Sequence, residues 1–69
     1  MIVKESDICV GRTYPFALAP GVSINVQVTF ERKIGKVRFV RFVSPSLKLP
    51  GYTRVSLFVK GVRAAMRGS

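Results

Sequence analysis

Residues 22–30 carry the pattern that most constrains the fold of this chain, a strict alternation of apolar and polar side chains. A period of two places successive side chains on opposite faces of a pleated strand. Four of the five apolar residues are β-branched, which favours strand over helix. The pattern therefore predicts a half-buried β-strand with an inward-facing apolar set, which consists of Val22, Ile24, Val26, Val28 and Phe30.

Residues 36–43 predict a second strand, in which the alternation changes phase part-way along. Phe39 follows the inward phase, but Arg41 occupies the next inward position. One extra residue near Val40 would restore the phase and turn Phe42 inward, so we predict a β-bulge there. A strand with apolar side chains on both faces is the alternative.

Three further segments predict strands. Residues 10–18 predict an early strand, where Pro15 favours an edge because proline cannot donate to a sheet ladder. Residues 1–3 predict a short edge strand. Residues 53–60 predict a late strand, with one face formed by Val55, Leu57 and Val59 and the other by Arg54, Ser56, Phe58 and Lys60. No long amphipathic helix is expected, and only residues 62–66 favour a helical turn.

The connections between these segments carry turn signals. Pro-Gly pairs occur at residues 20–21 and 50–51. Proline presets φ and glycine supplies the positive φ of a type II turn, so both pairs predict that turn. Gly35 predicts a bulged hairpin loop over residues 31–35. Residues 44–46 predict an irregular loop.

Four or five short strands within 69 residues predict a small all-β domain. An SH3-like barrel of 4–5 antiparallel strands fits the strand lengths best, and an OB-like barrel is the second choice. Residues 1–67 are expected to form this single domain. Residues 68–69 are interpreted as a tail consistent with a cloning remnant.

Charge is distributed unevenly along the chain. The net charge is +9, and Glu5, Asp7 and Glu31 are the only carboxylate side chains. No acidic residue follows Glu31, whereas cations continue to the C-terminus. Charge of one sign repels itself and does not stabilise a fold, so the excess predicts a negatively charged partner.

The residue types needed for catalysis are largely absent. The chain has no histidine and a single cysteine, Cys9, which is expected to be a small buried hydrophobe. Acid–base, nucleophilic and metal chemistry need groups that this composition does not supply. The sequence therefore predicts a protein that is not an enzyme and has no cofactor. The lone cysteine and the lack of a long apolar run favour a cytoplasmic location without membrane attachment.

Cations interleaved with bulky residues predict the functional surface. Arginine binds phosphate bidentately and aromatic rings stack on bases, so nucleic acid, DNA or RNA, is the expected partner. Phe58 shares its predicted face with two cations and is a candidate contact, and Tyr52 is a weaker one. The predicted nucleic-acid-binding residues are Arg32, Lys33, Lys36, Arg38, Arg41, Arg54, Phe58, Lys60 and Arg63.

Two other modes of association agree with the composition. A protein-interaction module could dock on an acidic partner through the Pro-Gly loops and Phe58. A homodimer is also compatible with a small core and open strand edges.

The segment Val10-Gly11-Arg12-Thr13-Tyr14, followed by basic hairpins, resembles many small SH3-like barrels in architecture. The length and aromatic strands are also similar to those of cold-shock proteins, but the Gly-Phe-Gly-Phe signature of that family is absent. The resemblance implies a barrel fold and by itself implies no function.

Overall fold

The computed structural model describes residues 4–67. A single 3₁₀ turn, Glu5–Asp7, precedes a run of antiparallel strands. The strands are β1 (Thr13–Ala19), β2 (Val22–Ile34), β3 (Val37–Val43) and β4 (Gly51–Arg54). One α-helix, α1 (Val55–Arg67), follows directly after β4.

The four strands form one antiparallel meander in the order β1-β2-β3-β4. The expected antiparallel β-rich architecture is confirmed, but the sheet is not closed, so the barrel prediction is wrong. Instead of a closing strand, α1 packs on one face of the sheet. Pro15 lies in an edge strand, as predicted. The strand predicted for residues 1–3 falls outside the described residues.

The strand predicted for residues 53–60 is wrong beyond Arg54, because the chain turns into α1 at Val55. The buried residues of α1 recur at helical spacing and form one apolar stripe. That stripe consists of Val55, Phe58, Val59, Val62 and Ala65. The same segment also alternates with a period of two, and packing against the sheet selects the helical arrangement.

The core between α1 and the sheet is built around Phe58, which is fully buried. Its ring lies edge-on to Tyr14, with centroids 5.9 Å apart, and stacks on Phe16 at 5.3 Å. Phe42 completes the cluster at 5.1 Å from Phe58. Gly61 allows α1 to lie close to the Phe16 ring of β1, because a Cβ at this position would overlap that ring.

Gly21 has the positive φ that its predicted turn requires, Gly35 has a positive φ in a shorter turn than the predicted bulged loop, and Gly51 departs from its prediction. Gly21 has a φ of +77° and joins β1 to β2. Gly35 has a φ of +62° and sits in a two-residue turn between Ile34 and Val37, so the strands extend further than the predicted loop. Gly51 has no positive φ. It begins β4, where a Cβ would overlap the Phe42 ring, so the second type II turn is wrong.

The bulge between the two central strands lies in β2 and not in β3. Val28 pairs with Phe42 and Phe30 pairs with Arg41, which leaves Thr29 as the extra residue. β3 therefore alternates without interruption, with Val40 and Phe42 buried on the helix side. The predicted bulge near Val40 is wrong, and the alternative of apolar cover on both faces holds only for the helix side, because Val37 and Arg41 on the other face are exposed.

The segment before β1 is tied to the sheet by backbone and side-chain hydrogen bonds. The Tyr14 hydroxyl donates to the carbonyl of Asp7 at 2.7 Å and accepts from the amide of Cys9 at 2.9 Å. Asp7 caps its turn by accepting from the Lys4 amide. Ile8 occupies the core position next to Cys9, whose side chain is exposed. The predicted burial of Cys9 is therefore wrong.

Candidate functional site

The face of the sheet opposite α1 carries an alternating arrangement of rings and arginines. Strand pairing places Phe30, Arg41 and Tyr52 in one row across three strands. The adjacent row holds Arg32, Phe39 and Arg54. Each arginine thus has an aromatic ring directly across the ladder. We call these six residues the aromatic–arginine surface.

This surface is open to solvent. Phe30 is 47% exposed and Tyr52 is 48% exposed. The arginines of both rows are exposed, and Phe39 is half-buried between its neighbours. Contiguous exposed apolar groups of this kind mark interaction sites more often than solvated surface.

The rings and guanidinium groups already have defined contacts. Phe39 and Tyr52 lie parallel, with centroids 5.6 Å apart and an angle of 4° between the planes. The Arg41 guanidinium carbon lies 5.6 Å from the centroid of the Phe30 ring, within cation–π range. Strands hold these side chains in place, so little ordering would be needed for a ligand to bind.

No carboxylate side chain of the described residues lies on the aromatic–arginine surface. Glu31 pairs with Val40 and therefore points to the opposite face. Glu5 and Asp7 belong to the 3₁₀ turn, near that same opposite face. Glu5 lines a cavity with Arg54, but the structure shows no ion pair from Arg32, Arg41 or Arg54 to a carboxylate among residues 4–67, so their charge is available to an external anion.

Arg38 serves the fold on the opposite face of the sheet. Its Nε donates to Glu31 Oε1 at 2.6 Å, and its terminal nitrogens donate to the carbonyls of Glu5 and Ile8 at 3.0 and 3.3 Å. The hydrogen bond to Glu31 raises the pKa of Arg38 above its ordinary value, against a smaller opposing effect of burial. Arg38 anchors the N-terminal segment and points away from the aromatic–arginine surface, although it lines a cavity with Arg54 at one end of that surface.

The other predicted site residues are dispersed. Lys33 pairs with Arg38 on the helix side of the sheet, and Lys36 lies in the β2–β3 turn. Lys60 and Arg63 are exposed on α1. Phe58 is in the core, so its predicted surface role is wrong. Of the nine predicted residues, the aromatic–arginine surface holds Arg32, Arg41 and Arg54. A cavity at its end is lined by Lys36, Arg38 and Arg54.

Sequence reasoning missed two of the rings. Phe30 was assigned to the inward set of β2, but the extra residue at Thr29 reverses its orientation. Phe39 follows the inward phase with Val37 in the sequence, but both residues lie on the open face, because the buried positions of β3 are Val40 and Phe42. Tyr52 was recognised as a weaker candidate, and it is exposed. The available signal was the β3 pattern itself, because Arg41 shares a face with Phe39 when the strand is regular.

Other classes of site find little support within residues 4–67. No group of three or more metal-ligating side chains occurs there. No helix in this part of the chain is long and apolar enough to cross a membrane. No known family model, curated protein or solved structure matches the chain. Function must therefore be argued from the surface itself.

Proposed function

We propose that this protein binds nucleic acid through the aromatic–arginine surface and that it has no catalytic activity of its own. The single observation that carries the proposal is the alternation of arginine and aromatic ring in both rows of the surface. Guanidinium groups bind phosphate in bidentate geometry, and rings stack on bases. Nucleic acid presents a phosphate and a base at every nucleotide.

Charge spacing supports a polyanionic ligand. Arg32 and Arg54 flank Phe39 from the strands on either side. Strands lie about 4.8 Å apart, so the two backbones are separated by about 10 Å. That distance exceeds the Debye length of about 8 Å at physiological salt, so these exposed cations repel one another only weakly and can each contact a separate charge of a polyanion that lies across them. A second copy of this chain would place like charges face to face, which disfavours dimerisation through this surface.

An acidic protein is the second candidate partner. Phe58 cannot contribute to such an interface, because it is buried in the core. Ile34 and Val37, which are 51% and 42% exposed, extend the surface with apolar side chains at the end of the β2–β3 hairpin. This apolar extension favours a protein contact, but it offers no explanation for the three rings that alternate with arginine.

The proposal is tested by titrating salt against binding to single-stranded and duplex oligonucleotides. Each arginine that neutralises a phosphate should contribute about −0.7 to the slope of log K against log salt for a single strand and about −0.9 for a duplex. Three engaged arginines on a single strand should therefore give a slope of about −2. A flat slope, or no binding to either oligonucleotide at low salt, would contradict nucleic-acid binding and leave the acidic protein as the candidate.

A further inference from the structure

We infer that the ligand of the aromatic–arginine surface is single-stranded nucleic acid, held by stacking of its bases on Phe39–Tyr52 and on Phe30. This inference rests on the proposed function and adds the strandedness of the ligand and its mode of binding. Stacking on a fixed ring is tolerant of sequence, because every base has a π-face. Binding with little sequence preference follows.

The parallel pair of Phe39 and Tyr52 is the first stacking platform. The planes differ by 4°, so a base that lies parallel to one ring is parallel to both. About half of the Tyr52 side chain is exposed, which leaves ring surface for a base to cover. Arg41 and Arg54 lie next to these rings across the ladder, where they can reach the phosphates of the same nucleotide.

Phe30 forms a second platform with Arg41. The guanidinium of Arg41 lies over the Phe30 ring, with its central carbon 5.6 Å from the ring centroid. Guanidinium planes stack on bases as rings do, so a base can stack on the pair that Arg41 and Phe30 form. Phe30 lies on β2, Phe39 on β3 and Tyr52 on β4. Neighbouring strands are about 4.8 Å apart, so the surface can accommodate about two or three consecutive bases.

A duplex fits this surface poorly. Its bases are already stacked on one another, so they present no face to the rings. The major groove of B-DNA is about 12 Å wide and admits a helix or a two-stranded ribbon. The aromatic–arginine surface spans three strands, β2, β3 and β4, of an open sheet. Only its arginines could contact a duplex, from outside the grooves.

The inference is tested with the unaltered protein and three oligonucleotides of equal phosphate number: a single strand, a duplex of half its length and an abasic single strand of its full length. We expect affinity to fall about 5- to 150-fold for each stacked base that is lost, with the salt slope unchanged. Equal affinity for the abasic strand, or tighter binding to the duplex, would overturn base stacking and leave nucleic-acid binding intact. Failure to bind any of the three would overturn both.

A pair of variants locates the stacking on the protein. Tyr52→Leu removes a ring and keeps an apolar side chain, whereas Ile34→Leu changes an exposed apolar residue on the same face and serves as the control. Tyr52→Leu should weaken binding to the normal single strand and leave binding to the abasic strand unchanged. If both variants bind both strands as the unaltered protein does, Tyr52 is not a platform and the inference fails.

Discussion

Replacing Arg32, Arg41 and Arg54 together with glutamine is expected to weaken binding to a single strand about 50-fold at 0.15 M salt. The variant releases fewer counterions from the nucleic acid when it binds. The slope of log K against log salt should therefore also become shallower by about 2. The three side chains are exposed, and removing like charges from one face relieves repulsion, so the fold should persist. Fluorescence anisotropy over a salt series measures both effects.

A charge-matched control separates the surface from net charge. Lys48→Gln, Lys60→Gln and Arg67→Gln remove the same number of positive charges from a loop and from α1. This control should retain most of its affinity and its salt slope. If the two triple variants lose affinity equally, binding depends on total charge alone, and the aromatic–arginine surface is not the site.

Phe58→Ala is expected to destabilise the protein by about 3–5 kcal/mol, the usual cost of removing a buried aromatic side chain. Phe58 is fully buried and its ring contacts three other aromatic rings. The total free energy of unfolding of a domain this small is about 3–10 kcal/mol. The variant should therefore lose a third or more of its free energy of unfolding, which a lower midpoint of urea denaturation followed by circular dichroism would show.

The neighbouring Leu57→Ala is the matched control. Leu57 is 51% exposed on α1, so its truncation should change the free energy of unfolding by less than about 0.5 kcal/mol. A strand over residues 53–60 would reverse this expectation, because Leu57 would then face the core and Phe58 the solvent. A larger loss of stability from Leu57→Ala than from Phe58→Ala would refute the helix.

The N-terminal half of the sheet could be predicted because its local signals agree with its packing. In residues 22–28 the alternation is strict, and Val26 and Val28 are fully buried. Gly21 supplies the positive φ that its turn requires. Pro15 lies in the edge strand β1, where its lack of a backbone N–H breaks no ladder hydrogen bond to a further strand. Each of these inferences depends on one residue or one short pattern.

The helix α1 could not be predicted from propensity. Val55, Val59 and Val62 are β-branched, and such residues favour strands in isolation. Their spacing together with Phe58 also satisfies the period of a helix, so two patterns coexist in one segment. Packing against Tyr14 and Phe16 decides between them, and that contact is not visible in local sequence.

Only part of the candidate site can be predicted from the sequence, because the orientation of its rings depends on strand pairing. The arginines of β2, β3 and β4 were recognised by charge, which needs no knowledge of orientation. The orientation of Phe30 and Phe39 depends on which strand carries the extra residue, and a shift of one position reverses every following side chain. The bulge at Thr29 is therefore what places two rings beside the arginines.

The open sheet has a direct consequence for function. A barrel would have enclosed one face of the sheet as its core and left arginines on a convex exterior. Here α1 fills the core from one side, and the opposite face is left open with rings as well as cations. The same sequence can therefore use aromatic side chains for recognition without weakening its core.

The central claim is tested most directly by mapping amide chemical shifts of the ¹⁵N-labelled protein as a single-stranded oligonucleotide is added. We predict that the largest changes occur at Phe30, Arg32, Phe39, Arg41 and Tyr52, with α1 little affected beyond its first turn. Changes concentrated around Lys60 and Arg63 on α1, or no changes at low salt, would contradict the assignment of the aromatic–arginine surface as a nucleic-acid-binding site.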